Sequence, residues 1–304
     1  MPFIVLAVLA ALLSPVSTVS GDVRLQPEAP EFRLKPEAAY DTQAAAVGRL
    51  REDAVTSAAL GREMKYRVLV PEGYDSSLER YPVLYLLHGL GGSYTDWTTR
   101  SNVAEYSRTL PLIIVMPDGG NQWYTNAADD SARFEDYITT DLPADVVAKY
   151  RTINSRYGRA IAGLSMGGYG ALKLALKRPA GFAMVGSFSG ALEATRDGVL
   201  DRLIGAAEAE RMRTIFGPAG GRTRRENDVF ALAAALKPAA APYIYTDCGI
   251  ADNALIDANR EVVAALHKAG VVYEYHEVAG AHTWDYWDRR IRAFLPILME
   301  KLAN

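Results

Sequence analysis

A serine lies at the centre of the segment Gly163-Leu164-Ser165-Met166-Gly167, which has the spacing of a nucleophile on a sharp strand-to-helix turn. Such a turn strains the serine backbone and crowds the residues two before and two after it, so that only small side chains fit there. Gly163 and Gly167 meet this requirement. A glycine-rich turn with a surface serine is the alternative, but the flanking strand and helix patterns favour a nucleophilic Ser165.

A serine hydroxyl is a poor nucleophile unless a general base takes its proton, and histidine is the commonest base. Three of the four histidines lie in a glycine-rich turn, on a predicted helix and within a predicted strand, where turn or packing roles are expected: His88, His267 and His276. His282 instead lies in a loop after the last predicted strand. When a catalytic serine, acid and histidine occur in that order along the chain, the histidine occupies this position. We therefore predict that His282 is the base.

The histidine needs a carboxylate that holds its ring and stabilises its positive charge. The predicted strand 243–246 leads into a loop in which both Asp247 and Asp252 qualify. Asp247 directly follows the strand and is expected to stay near the sheet, whereas Asp252 comes after a glycine-containing turn and can reach the last loop. Asp257 is expected to start the next helix. We favour Asp252 as the acid.

Attack on a carbonyl places negative charge on its oxygen, which two backbone N–H groups usually stabilise. One comes from the residue after the nucleophile, which is Met166. The other is expected from the glycine-rich segment 88–93, with Leu90 as the donor. A phosphate cradle is the rival interpretation of this segment, but neither of the usual glycine-rich phosphate-binding patterns is present.

Four aromatic residues near these loops are candidates to line the substrate site: Trp123, Tyr124, Trp284 and Trp287. Core packing is the alternative for each of them.

Strand and helix patterns alternate from residue 64 onwards. Short apolar runs typical of strands buried on both faces are followed by segments with helical periodicity. This alternation predicts an α/β fold, with a mostly parallel sheet covered by helices on both faces. Ligands of such sheets bind beyond the carboxyl ends of the strands. The predicted strands are 64–70, 81–87, 112–116, 160–164, 185–188, 243–246 and 271–278, and the clearest helices are 134–150, 165–177, 257–269 and 286–302.

An apolar run of eleven residues, Phe3 to Leu13, precedes a stretch of small residues, as in a secretory signal peptide. No Lys or Arg precedes the run. We expect residues 1–20 to be a signal peptide, 21–56 an N-terminal lead-in and 57–304 the catalytic domain. A secreted or periplasmic location follows from this, or a cytoplasmic one if the run is not cleaved.

Composition narrows the class of protein. The chain has 304 residues, 33 Lys and Arg against 36 Asp and Glu, and one cysteine, Cys248. The near-neutral charge argues against nucleic acid as a partner, and a single cysteine excludes an internal disulfide framework. No apolar run is long enough to predict a membrane-spanning helix, so stable membrane insertion is not expected after signal removal.

Taken together, these residues resemble the esterase D-like family of α/β-hydrolases. That family includes S-formylglutathione hydrolases, feruloyl esterases, tributyrin-type esterases and the antigen 85 mycolyltransferases. The resemblance runs from about residue 57 to residue 302 and is carried by separated motifs in the same order. These are Leu60-Gly61-Arg62-Glu63-Met64, Tyr85-Leu86-Leu87-His88-Gly89, Met116-Pro117-Asp118-Gly119, Gly163-Leu164-Ser165-Met166-Gly167-Gly168, Cys248-Gly249-Ile250-Ala251-Asp252 and His282-Thr283-Trp284-Asp285-Tyr286-Trp287.

The resemblance implies a triad of Ser165, Asp252 and His282, with Leu90 and Met166 as oxyanion donors. It also implies no metal and no organic cofactor. In the mycolyltransferases the acid is a glutamate, whereas this chain has Asp252 in the hydrolase-like position.

The expected activity is that of a serine carboxylesterase acting through an acyl-enzyme on a small ester, such as an acylated sugar or a short-chain lipid. Three alternatives stay open. They are a mycolyltransferase-type acyltransferase with the same triad, an S-formylglutathione hydrolase-like thioesterase, and a noncatalytic binding protein that retains the fold.

Overall fold

Eight strands form a single sheet in the computed structural model, which describes residues 48–200 and 204–302. The strands are β1 (Leu50–Ser57), β2 (Arg62–Leu69), β3 (Val83–Leu87), β4 (Ile113–Pro117), β5 (Arg159–Leu164), β6 (Met184–Phe188), β7 (Tyr243–Gly249) and β8 (Tyr273–Val278).

The strand order across the sheet is β1-β2-β4-β3-β5-β6-β7-β8. The first two strands pair antiparallel with each other, and β2 pairs antiparallel with β4. All other neighbouring pairs are parallel. The predicted α/β fold with a mostly parallel sheet is therefore confirmed. Because the parallel strands run the same way, the loops that follow β3, β5, β7 and β8 open at one edge of the sheet.

Helices connect the strands. Within the described ranges they are α1 (Asp96–Arg100), α2 (Val103–Tyr106), α3 (Phe134–Asp136), α4 (Leu142–Lys149), α5 (Met166–Lys177), α6 (Ala206–Phe216), α7 (Arg222–Glu226), α8 (Val229–Ala235), α9 (Ile256–Lys268) and α10 (Trp284–Leu302), with a π-helical turn (Tyr137–Asp141) joining α3 to α4.

The apolar core lies in two layers, one on each face of the sheet. Successive residues of β3 alternate between them, so that Tyr85 and Leu87 belong to one layer and Leu84 and Leu86 to the other. Helices α5 and α9 pack on the first face, and α10 packs on the second. Every residue of β3, β4 and β6 is buried, which is why β3 and β4 have continuous apolar sequences rather than alternating ones.

The sheet begins earlier than the sequence analysis predicted. All of strand β1 except its last residue, Ser57, lies in the segment 21–56 that was expected to be a lead-in. It is an edge strand whose charged residues form ion pairs: Glu52 with Arg67 of β2, and Arg51 with Asp75. Such charges protect an exposed sheet edge, but they also hide the strand from a search for apolar alternation.

The predicted signal peptide, residues 1–20, lies outside the described residues. Within residues 48–200 and 204–302, no helix has the length and apolar character needed to cross a bilayer.

Two leucines test the packing of α10 against the sheet. Leu298 is completely buried, whereas Leu78 is 93% exposed. We expect Leu298→Ala to lower the free energy of unfolding by about 2–5 kcal/mol, because it removes buried apolar surface and leaves a cavity. The same change at Leu78 should alter it by less than about 0.5 kcal/mol. Urea unfolding followed by circular dichroism measures both, and equal losses would contradict the packing described here.

Candidate active site

Ser165 occupies the sharp turn between β5 and α5. Its backbone angles are φ 54° and ψ −118°, in a region that a residue with a side chain rarely adopts. Strain of this kind persists only where the surrounding structure imposes it, and it is typical of functional sites. The turn projects the serine beyond the end of β5 and makes Met166 the first residue of α5.

Close backbone contacts impose that turn. A Cβ atom on Gly163 would lie 2.5 Å from the carbonyl of Gly167. A Cβ atom on Gly167 would lie 2.6 Å from the carbonyl oxygens of both Leu87 and His88. No side chain fits at either glycine, as the spacing of the motif predicts.

His282 lies between the serine and a carboxylate. Its Nδ1 atom is 2.7 Å from Oδ2 of Asp252, and its Nε2 atom is 2.9 Å from Oγ of Ser165. An ionised carboxylate only accepts hydrogen bonds, so Nδ1 must carry the proton and donate it. Nε2 is then unprotonated and accepts the hydrogen bond from the Ser165 hydroxyl. This is the tautomer that a general base needs.

The loops that carry Asp252 and His282 are tied to each other through their backbones. The N–H of Ile250 donates to the carbonyl of Val278 at 2.9 Å, and that of Ala251 donates to Gly280 at 2.9 Å. A Cβ on Gly249 would meet the Gly280 carbonyl at 2.4 Å. The 2.7 Å contact between Asp252 and His282 is therefore set by the register of two adjacent strand ends.

Asp247, the other carboxylate that qualified, serves a different purpose. It is fully buried, accepting hydrogen bonds from the Tyr286 hydroxyl at 2.7 Å and from Nε of Arg290 at 2.9 Å. Burial raises the pKa of this carboxyl, whereas the positive charge of Arg290 lowers it. Both partners belong to α10, so Asp247 anchors that helix to β7 and does not contact His282.

The glycine-rich loop after β3 runs beside the serine. A Cβ on Gly89 would lie 3.5 Å from Cβ of Ser165. Leu90 follows, and among the described backbone hydrogen bonds none uses its N–H. The N–H of Met166 lies in the first turn of α5, where no intrahelical acceptor is available. Both predicted donors thus flank Ser165 with their N–H groups free.

His88 fixes this loop, which is a turn role of the kind that the sequence analysis expected for it. Its Nδ1 lies 2.8 Å from the carbonyl of Gly89, and its Nε2 lies 2.9 Å from the N–H of Gly119, which donates to it. The buried imidazole therefore donates at Nδ1 and accepts at Nε2 as a neutral ring. Burial lowers its pKa, which favours this neutral form. In the sequence, this role is indicated by the position of His88 in a His-Gly turn at a strand end.

A cavity of about 690 Å³ opens over Ser165 and His282. Three of the four predicted aromatic residues line it: Trp123, Trp284 and Trp287. The Trp287 ring meets the His282 ring edge-on, with centroids 4.8 Å apart. Part of its wall is aliphatic and is formed by Ala191, Leu200, Ile204 and Leu255.

Tyr124 does not line the cavity, contrary to the prediction. Its side chain is completely buried, and its hydroxyl donates to the carbonyl of His88 at 2.9 Å. The ring fills the space that Gly119 and Gly170 leave by having no side chain, since a Cβ on either would lie within 2.4 Å of it. It supports the glycine-rich loop from behind.

A buried lysine holds the segment that carries Trp123. Nζ of Lys173, on α5, donates to the carbonyl of Tyr124 at 2.5 Å, to Oγ1 of Thr125 at 3.2 Å and to Glu135 at 3.0 Å. Burial lowers the pKa of this amine. Burial alone would raise the pKa of Glu135, but Lys173 and Lys177 lower it to about 2. The sequence analysis missed this cluster because its members are far apart in the chain.

Two further charged residues line the cavity, Asp96 and Arg100 of α1. The sequence analysis did not select them, since a short polar helix after a glycine-rich loop gives no signal of its own.

The sequence matches a family model described as "Putative esterase" over residues 57–298. The chain belongs to this esterase family. Its fold and family are those of carboxylic ester hydrolases.

Individual relatives agree with this assignment. The esterase is 29% identical to an acetyl esterase of Caldicellulosiruptor saccharolyticus, over 71% of this chain and 83% of that protein. It is 28% identical to the diacylglycerol acyltransferase/mycolyltransferase Ag85B of Mycobacterium leprae, over 82% and 83% of the two chains. Among solved structures, a ferulic acid esterase superposes with a TM-score of 0.72 at 26% identity, covering 83% of this chain and 97% of its own.

Alanine substitutions of two glycines test whether backbone contacts impose the serine turn. In a helix, alanine normally stabilises by up to about 1 kcal/mol relative to glycine. At Gly167 the new methyl would meet two carbonyl oxygens at 2.6 Å, so we expect Gly167→Ala to destabilise this esterase by about 1–3 kcal/mol. Gly181→Ala is the control, because its methyl would lie no nearer than 3.8 Å to any other atom. Urea unfolding that found both variants equally stable would contradict the proposed constraint.

Proposed function

We propose that this esterase hydrolyses carboxylic esters through an acyl-enzyme formed on Ser165. The observation that carries the proposal is the continuous hydrogen-bonded series from Asp252 through His282 to Ser165, at 2.7 and 2.9 Å. The acid end of the series is buried, with the Asp252 side chain only 2% exposed, whereas the His282 side chain is 36% exposed to the cavity. A substrate can therefore reach the serine while its supporting carboxylate stays shielded from water.

In the first half of the reaction, Nε2 of His282 takes the hydroxyl proton as Oγ of Ser165 attacks the ester carbonyl. The N–H groups of Leu90 and Met166 stabilise the oxyanion that forms. The carbon–oxygen bond to the alcohol then breaks, and His282 delivers its proton to the leaving oxygen. Asp252 remains ionised and stabilises the imidazolium between these steps.

In the second half, His282 takes a proton from water as the water oxygen attacks the acyl carbonyl. The bond to Oγ of Ser165 breaks, the proton returns to the serine, and the carboxylic acid leaves. The protein supplies every group that this sequence requires.

The cavity supports a small ester as the substrate, such as an acylated sugar or a short-chain lipid. Its aliphatic wall suits an acyl chain, and the tryptophans near His282 suit the alcohol part.

Transfer of the acyl group to an alcohol instead of water is the second candidate. The similarity to a protein named as a diacylglycerol acyltransferase/mycolyltransferase favours it. The product separates the two candidates: incubation with an activated ester and added alcohols yields free acid from a hydrolase and mainly a new ester from a transferase.

We also propose that the protein is exported, on the strength of the apolar run Phe3 to Leu13.

Replacement of the serine tests the activity itself. We expect the protein to hydrolyse chromogenic short-chain esters and to react with a fluorophosphonate probe. Ser165→Ala should abolish the labelling and lower kcat by roughly 10⁶-fold, because no other group can form the acyl-enzyme. Probe labelling and initial rates measure this. An unlabelled wild-type protein, or undiminished labelling of the folded variant, would contradict the proposal.

The two buried aspartates should respond differently to the same substitution. Asp252→Asn leaves the shape of the site nearly unchanged but removes the acceptor that fixes the tautomer of His282, so kcat should fall by about 10⁴-fold. Asp247→Asn breaks the buried pair with Arg290 and should act mainly on stability, by about 3 kcal/mol. Steady-state kinetics and urea unfolding of both variants separate the two roles. The reverse pattern would make Asp247 the acid.

A further inference from the structure

Arg100 places a positive charge in the wall of the cavity that holds Ser165 and His282. It is the last residue of α1, and its side chain is exposed. Its guanidinium lies over the ring of Trp284, with Cζ 4.9 Å from the ring centroid. Among the residues that the structure describes, it is the one Lys or Arg lining this cavity, and no carboxylate lies within 4.0 Å of its nitrogens.

The contact with Trp284 places this charge on the leaving-group side of the site. Under the proposed function, His282 must reach the leaving oxygen in order to protonate it. Trp284 follows His282 by two residues and lines the same cavity. The aliphatic wall formed by Ala191, Leu200 and Ile204 lacks charge and suits the acyl part instead.

The two carboxylates in the cavity wall already accept hydrogen bonds from other residues. Asp252 accepts the hydrogen bond from His282 at 2.7 Å. Asp96, one turn before Arg100, accepts a hydrogen bond from the Ser93 hydroxyl at 3.3 Å and lies close to Gly92, where a Cβ would be 2.6 Å from its Oδ2. Neither forms an ion pair with Arg100 within 4.0 Å, so the guanidinium can still accept an anion from the substrate.

A guanidinium that contacts the face of an aromatic ring keeps N–H donors free at its edge. That edge matches the spacing of two oxygens of a carboxylate or a phosphate, which it can bind through two parallel hydrogen bonds. The stacking also limits the orientations of the long side chain, which lowers the entropic cost of holding it in place.

Resting on the proposed ester hydrolysis, we propose that Arg100 is a specificity-determining residue that binds an anionic oxygen group, carboxylate or phosphate, on the leaving group of the substrate. The preferred substrates are then esters whose alcohol part carries a negative charge.

Acetate esters that share a phenolic leaving group but differ in charge test this. The probes are para-acetoxybenzoate, which is anionic, para-acetoxyphenyl phosphate, which carries a phosphate, and para-acetoxybenzamide, which is neutral. The measured quantity is kcat/KM for each anionic ester divided by kcat/KM for the neutral one. Comparing this ratio between variants cancels the intrinsic reactivity of the esters. The variants are Arg100→Gln and Arg100→Lys.

Arg292→Gln is the matched control, since Arg292 is also an exposed arginine stacked on an aromatic ring, with Cζ 5.5 Å from the centroid of Tyr106, but it does not line the cavity. We expect Arg100→Gln to lower the ratio about tenfold for at least one anionic ester while changing the neutral ester less than twofold. Arg100→Lys should retain part of the preference, and Arg292→Gln all of it. Added salt should reduce the preference of the wild-type protein but not that of Arg100→Gln.

The outcomes separate this inference from the proposed function. If the neutral ester is hydrolysed normally and the ratio is the same in wild type and Arg100→Gln, the role of Arg100 is refuted and the esterase activity stands. If no ester in the set is hydrolysed by wild type, both proposals fail. A fall in the carboxylate ratio alone identifies a carboxylate, and a fall in the phosphate ratio alone identifies a phosphate.

Discussion

The site depends on one close approach of backbone segments, where the start of α5 meets the end of β3. Gly167 touches the carbonyl oxygens of Leu87 and His88, and Gly163 touches Gly167. This contact holds Ser165 in its strained conformation and leaves the N–H of Met166 beside it. It also fixes the distance between the serine and the loop that carries Leu90. One steric constraint thus positions Ser165, the proposed nucleophile, and both predicted oxyanion donors, before any polar interaction is considered.

Polar side chains then bind three successive carbonyls at the end of β3 and in the loop after it. The Leu87 carbonyl accepts a hydrogen bond from Nε1 of Trp97 at 3.0 Å, the His88 carbonyl accepts one from Tyr124, and the Gly89 carbonyl is bound by the His88 ring. Leu87 ends β3 and the other two residues follow it, and burial of these carbonyls without partners would cost about 1–3 kcal/mol each. The donors satisfy them and stiffen the loop at the same time. Stiffness matters here because an oxyanion hole works only when its donors are already in place.

The sequence predicted those parts of the molecule in which local constraints are strong. The serine turn, the buried parallel strands and the alternation of strand and helix all follow from short-range patterns. The acid could be narrowed only to Asp247 or Asp252 by spacing, and a preference for Asp252 came from the reach of its loop. Edge strand β1 was missed because its charges obscure the alternation. Tyr124 was misplaced because the cavities that it fills, at Gly119 and Gly170, exist only in the folded chain.

The buried amine of Lys173 joins α5, the helix that follows Ser165, to the wall that contains Trp123. Ser165 and this wall therefore belong to one hydrogen-bonded body, because α5 begins directly after the serine. Arg100 and Trp284 come from other segments and are not bound to that body through Lys173. Arg100 and Trp284 can consequently be exchanged without breaking the Lys173 contacts, whereas Trp97 of α1 holds the Leu87 carbonyl beside the serine turn. Under the proposed function, divergence of alcohol preference among related chains should therefore concentrate at Arg100 and Trp284, while Trp123 changes only together with α5.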